Sequence, residues 1–168
     1  MELIKSNINN VEDIMEIIKK AQLYFKEQGI DQWQNNYPNE ESIKLDIKEN
    51  QSYVLINKDE VIATAALTFQ REDVYENIQN GKWLNNEDYA AIHRIAVDDS
   101  QKGKGIAGRM IEKLEKVCKD KNICNIKVDT HEKNKSMQKL LKKSGFEYCG
   151  IIYQSEDEPR VAFQKILK

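Results

Sequence analysis

The stretch Ala90-Ala91-Ile92-His93-Arg94-Ile95-Ala96-Val97, followed by Asp98-Asp99-Ser100-Gln101 and then Lys102-Gly103-Lys104-Gly105-Ile106-Ala107-Gly108, decides how this chain folds. The first run reads as a strand. From 105 to about 120, Ile106, Met110, Ile111, Leu114, Val117 and Cys118 recur at helical spacing. A glycine-rich turn therefore delivers the chain from a strand into a helix. A helix start presents backbone N–H groups with no partner inside the helix, and the helix dipole adds positive potential there. Gly103 and Gly105 leave room for close approach of a phosphate, while Lys102 and Lys104 add mobile positive charge. A diphosphate suits such a turn. A tight connection that needs glycine for its conformation alone uses the same residues, so spacing by itself leaves both readings open.

Downstream, residues 123–130 read as a strand, and strand, helix, strand implies a parallel crossover. Residues 134–144 form a helix closed by Gly145, and 146–154 with 160–167 form a hairpin across an acidic turn. Upstream, a strand at 2–6 precedes a helix capped by Asn10, with Val11, Ile14, Met15, Ile18, Ala21 and Phe25 on one face and Gly29 at its end. A weaker helix begins near Asn39. Residues 52–57 and 61–69 are β-branched and aromatic and flank Lys58-Asp59-Glu60, a hairpin signature. The segment 70–88, with Tyr75 and Trp83, is long for a connection and so a candidate for function. The fold class is α/β, with a mixed, mostly antiparallel sheet of about seven strands flanked by helices. No repeat or linker interrupts it, so residues 1–168 read as a single domain.

A formal charge of −2 lacks the footprint of a nucleic-acid or membrane-surface binder, which leaves a small molecule or peptide as the expected partner. Cys118, Cys124 and Cys149 contain no C-x-x-C pair, which argues against a disulfide framework and against a metal site. No apolar run approaches the roughly 18 residues that cross a bilayer, and the start lacks a signal-peptide core. A cytoplasmic location is expected.

Gly103, Gly105 and Gly108 also satisfy G-x-G-x-x-G, with Asp129 following 21 positions after Gly108. Five residues separate Val97 from the first glycine, where a dinucleotide-binding turn would follow at once. Too little chain follows Asp129 for a second mononucleotide half, so an oxidoreductase is disfavoured.

Residues 92–97 together with Gln101-Lys102-Gly103-Lys104-Gly105-Ile106-Ala107 resemble the acyl-CoA-binding motif of the GNAT N-acetyltransferase superfamily. That family's pattern of Arg or Gln, two residues, Gly, one residue, and Gly or Ala falls on Lys102, Gly105 and Ala107, with lysine the departure. Asp129-Thr130, Asn134 and Lys143-Ser144-Gly145-Phe146 are similar to its next block. The resemblance implies an acetyl-CoA-dependent N-acetyltransferase whose central strands splay. Lys102, Gly103, Lys104, Gly105, Ile106, Ala107 and Gly108 would hold the diphosphate, Ile95 and Val97 the pantetheine arm, and Asn134 the CoA arm. The Val97 N–H would donate to the oxyanion.

The same resemblance implies direct attack by an amine, without an acyl-enzyme. Deprotonating a lysine-like amine at pH 7 costs roughly 4.6 kcal/mol. His93 is a candidate base, and a core histidine is the competing reading; Arg94 reads as structural. Strand alternation puts His93 on one face with Ala91, Ile95 and Val97. The family's tyrosine seven residues after the asparagine, which protonates the departing thiolate, is replaced by Leu141; Tyr148, Tyr153 or a water would have to substitute. Trp33, Tyr75 and Trp83 are placed by the resemblance near the acceptor, a small-molecule or peptide amine. The acids Glu72, Asp73, Glu76, Glu87 and Asp88, against Arg71 and Lys82, mildly favour a cationic one. A non-catalytic acyl-CoA-binding module is the alternative that Leu141 motivates. Members of this fold are often homodimers, although nothing in the surface pattern marks a dimer interface.

Overall fold

Asparagines start the helices of the N-terminal half. The Asn7 side chain accepts from the N–H of Asn9, and Asn10 reaches back to the N–H of Asn7. Together they cap a single 3-10 turn (Ile8–Asn10) that runs straight into α1 (Val11–Glu27). Asn10 holds the N-cap position of α1 as expected but makes no side-chain cap bond to it, because its oxygen already accepts from the Asn7 N–H; the side-chain cap is Asn7, one 3-10 turn earlier. Asn39 forms a second box with Ser42 ahead of α2 (Glu40–Lys48).

The computed structural model describes residues 1–168. Its other elements are β1 (Glu2–Lys5), β2 (Ser52–Asn57), β3 (Glu60–Thr68), α3 (Asp73–Glu76), β4 (Ala90–Val97), α4 (Ile106–Asp120), β5 (Asn125–Thr130), α5 (Lys135–Lys143), β6 (Glu147–Tyr153) and β7 (Pro159–Ile166). The seven strands form one sheet in the order β1-β2-β3-β4-β5-β7-β6. Pairings β1–β2, β2–β3, β5–β7 and β6–β7 are antiparallel. β4 and β5 are parallel, with Ala90 opposite Ile126 and Ala91 opposite Lys127. The expected mixed sheet is thus observed. Boundaries move by a residue or two, and the 3-10 turns Ile8–Asn10 and Asp99–Gln101 and the short helix α3 add to the expected elements.

The chain divides into two compact units, Met1–Leu67 with His93–Lys113, and Thr68–Ile92 with Leu114–Lys168. In the first, Val11, Ile14, Met15, Ile17 and Ile18 of α1 pack with Ile43, Val54 and Ala96. In the second, Tyr75, Tyr89, Ala91, Ile152 and Ala162 form the core, with Val74, Ile78 and Trp83 against it.

The segment between β3 and β4 is strapped to the margin of the second unit. Gln79 and Ile151 of β6 exchange both backbone hydrogen bonds at 2.8 Å. Two glycines let the strap approach. A Cβ on Gly150 would stand 2.6 Å from the Gln79 carbonyl oxygen, and one on Gly81 would run into the Cys149 carbonyl. Gly150→Ala is expected to lower stability by about 1–3 kcal/mol, since backbone must move to admit the methyl. Gly108→Ala, where the added methyl meets open space inside a helix, is expected to raise it by about 0.5–1 kcal/mol. Urea denaturation of the two variants checks both signs.

Candidate active site

The turn into α4 is set by two left-handed glycines, Gly103 (φ 78°) and Gly105 (φ 73°), and nothing lies within 4 Å of a Cβ built on either. They are needed for conformation, and the space beside them is open. The Arg109 N–H bonds back to the Gly105 carbonyl (3.1 Å). The N–H groups of Ile106, Ala107 and Gly108 thus belong to the first turn, where a helix supplies no acceptors. α1 and α2 place acids at this point, Glu12 with Asp13 and Glu40 with Glu41, but α4 has none. Its positive end is not offset by its own side chains.

Contacts to α1 and β3 hold the turn in place. Asp98 accepts from the N–H of Ser100, and its own N–H donates to the Ile62 carbonyl (2.9 Å). Lys20 lies 3.3 Å from Asp98 and 3.4 Å from Asp99. Hydrogen bonds to Asp98 and Glu16 hold the Lys20 ammonium above its ordinary pKa. The Asp98 carboxyl is lowered, chiefly by its bond from the Ser100 hydroxyl. Lys102 is not the freely mobile charge expected from the sequence, because its Nζ lies 4.5 Å from the Tyr24 ring centroid. Lys104 reaches Gln101 at 3.3 Å.

β4 supplies the next group of residues. His93 is half-buried and is followed by Arg94 in the left-handed region (φ 50°), a conformation costing of order 1–3 kcal/mol outside glycine. That residue interrupts the period of two, so the expectation that His93 shares a face with Ile95 and Val97 loses its basis. Arg94 is structural, as expected. Its Nε and Nη2 both donate to Asp46 of α2 at 2.7 Å, and its Nη1 donates to the Tyr37 hydroxyl at 2.9 Å. This bidentate pair, buried on its Asp46 side, holds the strained strand residue.

In the second unit, the strap lays its aromatic residues over β5. Tyr75 is 1% exposed, and its hydroxyl donates to Asp129 Oδ2 at 2.6 Å. Burial, then the negative charges of Asp129 and Glu72, push the Tyr75 phenol well above its ordinary pKa. The other Asp129 oxygen accepts from Gln154 Nε2 at 3.2 Å. Trp83 Nε1 donates to the Tyr75 carbonyl at 2.7 Å. Lys127, 4% exposed, lies between two rings, with Nζ 4.2 Å from the Trp83 centroid and 4.0 Å from that of Tyr89. Burial pulls its pKa down to about 8, Glu76 opposing and Arg71 adding to the effect.

The family model for the GNAT acetyltransferase family matches residues 12–146. A GNAT-family acetyltransferase from Streptococcus agalactiae is 34% identical, with a TM-score of 0.92 over 99% of this chain and 95% of that one. The chain belongs to the GNAT acetyltransferase family. A GNAT-family acetyltransferase from Listeria monocytogenes shares the fold at 17% identity, with a TM-score of 0.76 over 99% of this chain and 94% of that one. The yncA protein of Salmonella typhimurium, solved with its cofactor acetyl-CoA, shares it at 13% identity, with a TM-score of 0.71 over 100% of this chain and 94% of that one. Among curated proteins no relative matches.

This GNAT acetyltransferase is an acyltransferase, and the residues expected in its site fall in both units. His93, Ile95 and Val97, with the turn from Lys102 to Gly108, lie in the first, and Asn134, Tyr75 and Trp83 in the second. Trp33 packs edge-on against Phe25 (5.6 Å) in the first core. Asn134 is buried and caps α5, accepting from the Met137 N–H at 3.1 Å. Leu141 is fully buried, while Tyr148 is 51% and Tyr153 37% exposed. The His131 ring Nδ1 accepts from the Lys133 N–H (3.1 Å). Sequence reasoning missed the side-chain roles of Asp129, Gln154 and Lys127; a lysine flanked by Ile126 and Val128 in a buried strand was the available signal. No group of metal-ligating side chains is present, and no helix is long and apolar enough to cross a membrane.

Two measurements check these assignments. Asp46→Ala is expected to cost about 2–3 kcal/mol in chemical denaturation, because the half-buried Arg94 guanidinium keeps only the Tyr37 hydroxyl as a partner. NMR titration of the Lys127 side chain should give a midpoint near 8. Since the folded value lies below the ordinary 10.5, the unfolded chain binds this proton more tightly. The contribution of Lys127 to stability therefore rises from about pH 8 toward 10.5 and is unfavourable below that window.

Proposed function

We propose that this acyltransferase moves an acetyl group from acetyl-CoA to a primary amine of a small molecule or peptide, by direct attack in a ternary complex. The observation that carries this reading is the start of α4. It combines two left-handed glycines, open space beside them and a first turn free of acids. These features fit a diphosphate, which would take the N–H groups of Ile106, Ala107 and Gly108 as donors with Lys104 nearby. The turn's anchoring to α1 and β3 means that little ordering remains to be done on binding.

Bound acetyl-CoA supplies an activated thioester carbonyl. The remaining work falls to the chain. The backbone of Ile95 and Val97 would hold the arm next to the diphosphate, and the Val97 N–H would donate to the carbonyl oxygen as it gains charge. One such donor is typically worth about 3–4 kcal/mol. Asn134 contributes to the arm from the start of α5. His93 receives the proton that the amine must lose, directly or through a water. In the balanced reaction the amine nitrogen bonds to the carbonyl carbon and the carbon–sulfur bond breaks. The thiolate then takes up a proton equivalent to the one the amine released. With Leu141 buried where the family carries a tyrosine, the thiolate leaves without that residue's help. The three free cysteines suit a cytoplasmic setting.

Incubation with acetyl-CoA and a panel of amines, followed by mass spectrometry, is expected to give products heavier by one acetyl group. Failure across diverse amines despite acetyl-CoA binding would remove the amine-transfer reading. Gly105→Val, which forces a β-branched residue into the left-handed region, should weaken acetyl-CoA binding at least about tenfold by calorimetry. His93→Gln should depress the rate most at the acid side of the pH profile, and an unchanged profile would exclude His93 as the base.

A further inference from the structure

Asp129 occupies the penultimate position of β5, near the carboxyl end of the strand that pairs in parallel with β4. In open sheets with parallel strands, ligands gather beyond such ends. The side chain is half-buried, and both oxygens are held, by the Tyr75 hydroxyl at 2.6 Å and the Gln154 amide at 3.2 Å. A carboxylate has about four acceptor positions, so two stay available. Both of these donors are neutral.

The nearby cations are committed elsewhere. Lys127, two residues back on the same strand and so on the same face, turns its ammonium to the faces of Trp83 and Tyr89. Arg71 is taken by Glu76 at 3.3 Å, Asp88 at 3.6 Å and the Asn86 carbonyl at 3.0 Å. Glu72, held at its backbone by the Tyr89 hydroxyl (2.8 Å), adds negative charge around Tyr75. The result is a fixed, partly desolvated negative charge whose obvious internal partner has been drawn away by two aromatic rings.

We infer that Asp129 is a specificity residue for the acceptor, binding an ammonium group that the acceptor carries besides the amine that is acetylated. Diamines and other cationic amines are then favoured over neutral or acidic amines of the same size. The inference rests on the acetyl transfer proposed above and names the class of acceptor. Tyr75 and Gln154 act as positioning residues. They fix the carboxylate, and Tyr75 ties it to the strap.

The test compares an α,ω-diamine with the amino alcohol of the same chain length, as ligands by calorimetry in the presence of CoA and as substrates with acetyl-CoA. Wild type should favour the diamine about tenfold or more in both readouts. Asp129→Asn keeps one oxygen for Tyr75 and removes the charge. It should abolish the preference chiefly through KM, with the thermal shift produced by acetyl-CoA unchanged. Equal affinity of wild type for diamine and amino alcohol would overturn the inference, as would a preference that survives Asp129→Asn. Wild type that ignores acetyl-CoA would instead sink the proposed reaction, and the calorimetric comparison of the two amines would still decide the role of Asp129.

Discussion

A helix that begins on glycine and lysine, with no carboxylate in its first turn, ends in positive potential that no side chain of that turn offsets. Much of the first unit is consistent with keeping that end fixed. The 3-10 turn before it is capped by Asp98, and Asp98 is tied to β3 through its N–H and to α1 through Lys20. Lys102, the residue that departs from the family pattern, rests on Tyr24 of the same helix. Exposed ion pairs of this kind contribute up to about 1 kcal/mol each, so their combined effect is one of geometry more than of stability. They hold the glycine turn in one conformation.

The second unit manages charge differently. Lys127 is buried between Trp83 and Tyr89 with its pKa drawn down, and Asp129 on the same strand is held by two uncharged donors. Had the two side chains met, the carboxylate would be neutralised within the protein. The aromatic rings keep them apart, so the strap between β3 and β4 determines the electrostatics of β5 as well as covering it.

The order of elements was legible because each rests on local signals. The period of the apolar residues, Asn39 before a helix and Gly145 after one all act over a few residues, as does the hairpin around Lys58-Asp59, both left-handed in the fold. The glycine turn was legible for the same reason. What escaped depends on contacts between residues far apart in the chain. Arg94 is left-handed and is tied to Asp46, 48 residues earlier, by two hydrogen bonds, and its backbone breaks the alternation that placed His93. Tyr75 meets Asp129 across 54 positions, and no local spacing encodes such a pair. The indoles of Trp33 and Trp83 read alike in sequence, yet one packs into a hydrophobic core and the other stacks on a lysine.

The Gln79–Ile151 bridge gives the strap a second duty. β6 is the last strand in the sheet order, and its free backbone groups would otherwise invite another chain to add itself. The strap fills one of those positions with its own peptide and brings Gly81 hard against Cys149. Tyr75, which holds Asp129, and the residues that cover the margin of β6 therefore share one short segment. A change of sequence in this segment must leave the Gln79–Ile151 bridge and the close approach of Gly81 intact if that part of the β6 edge is to stay covered.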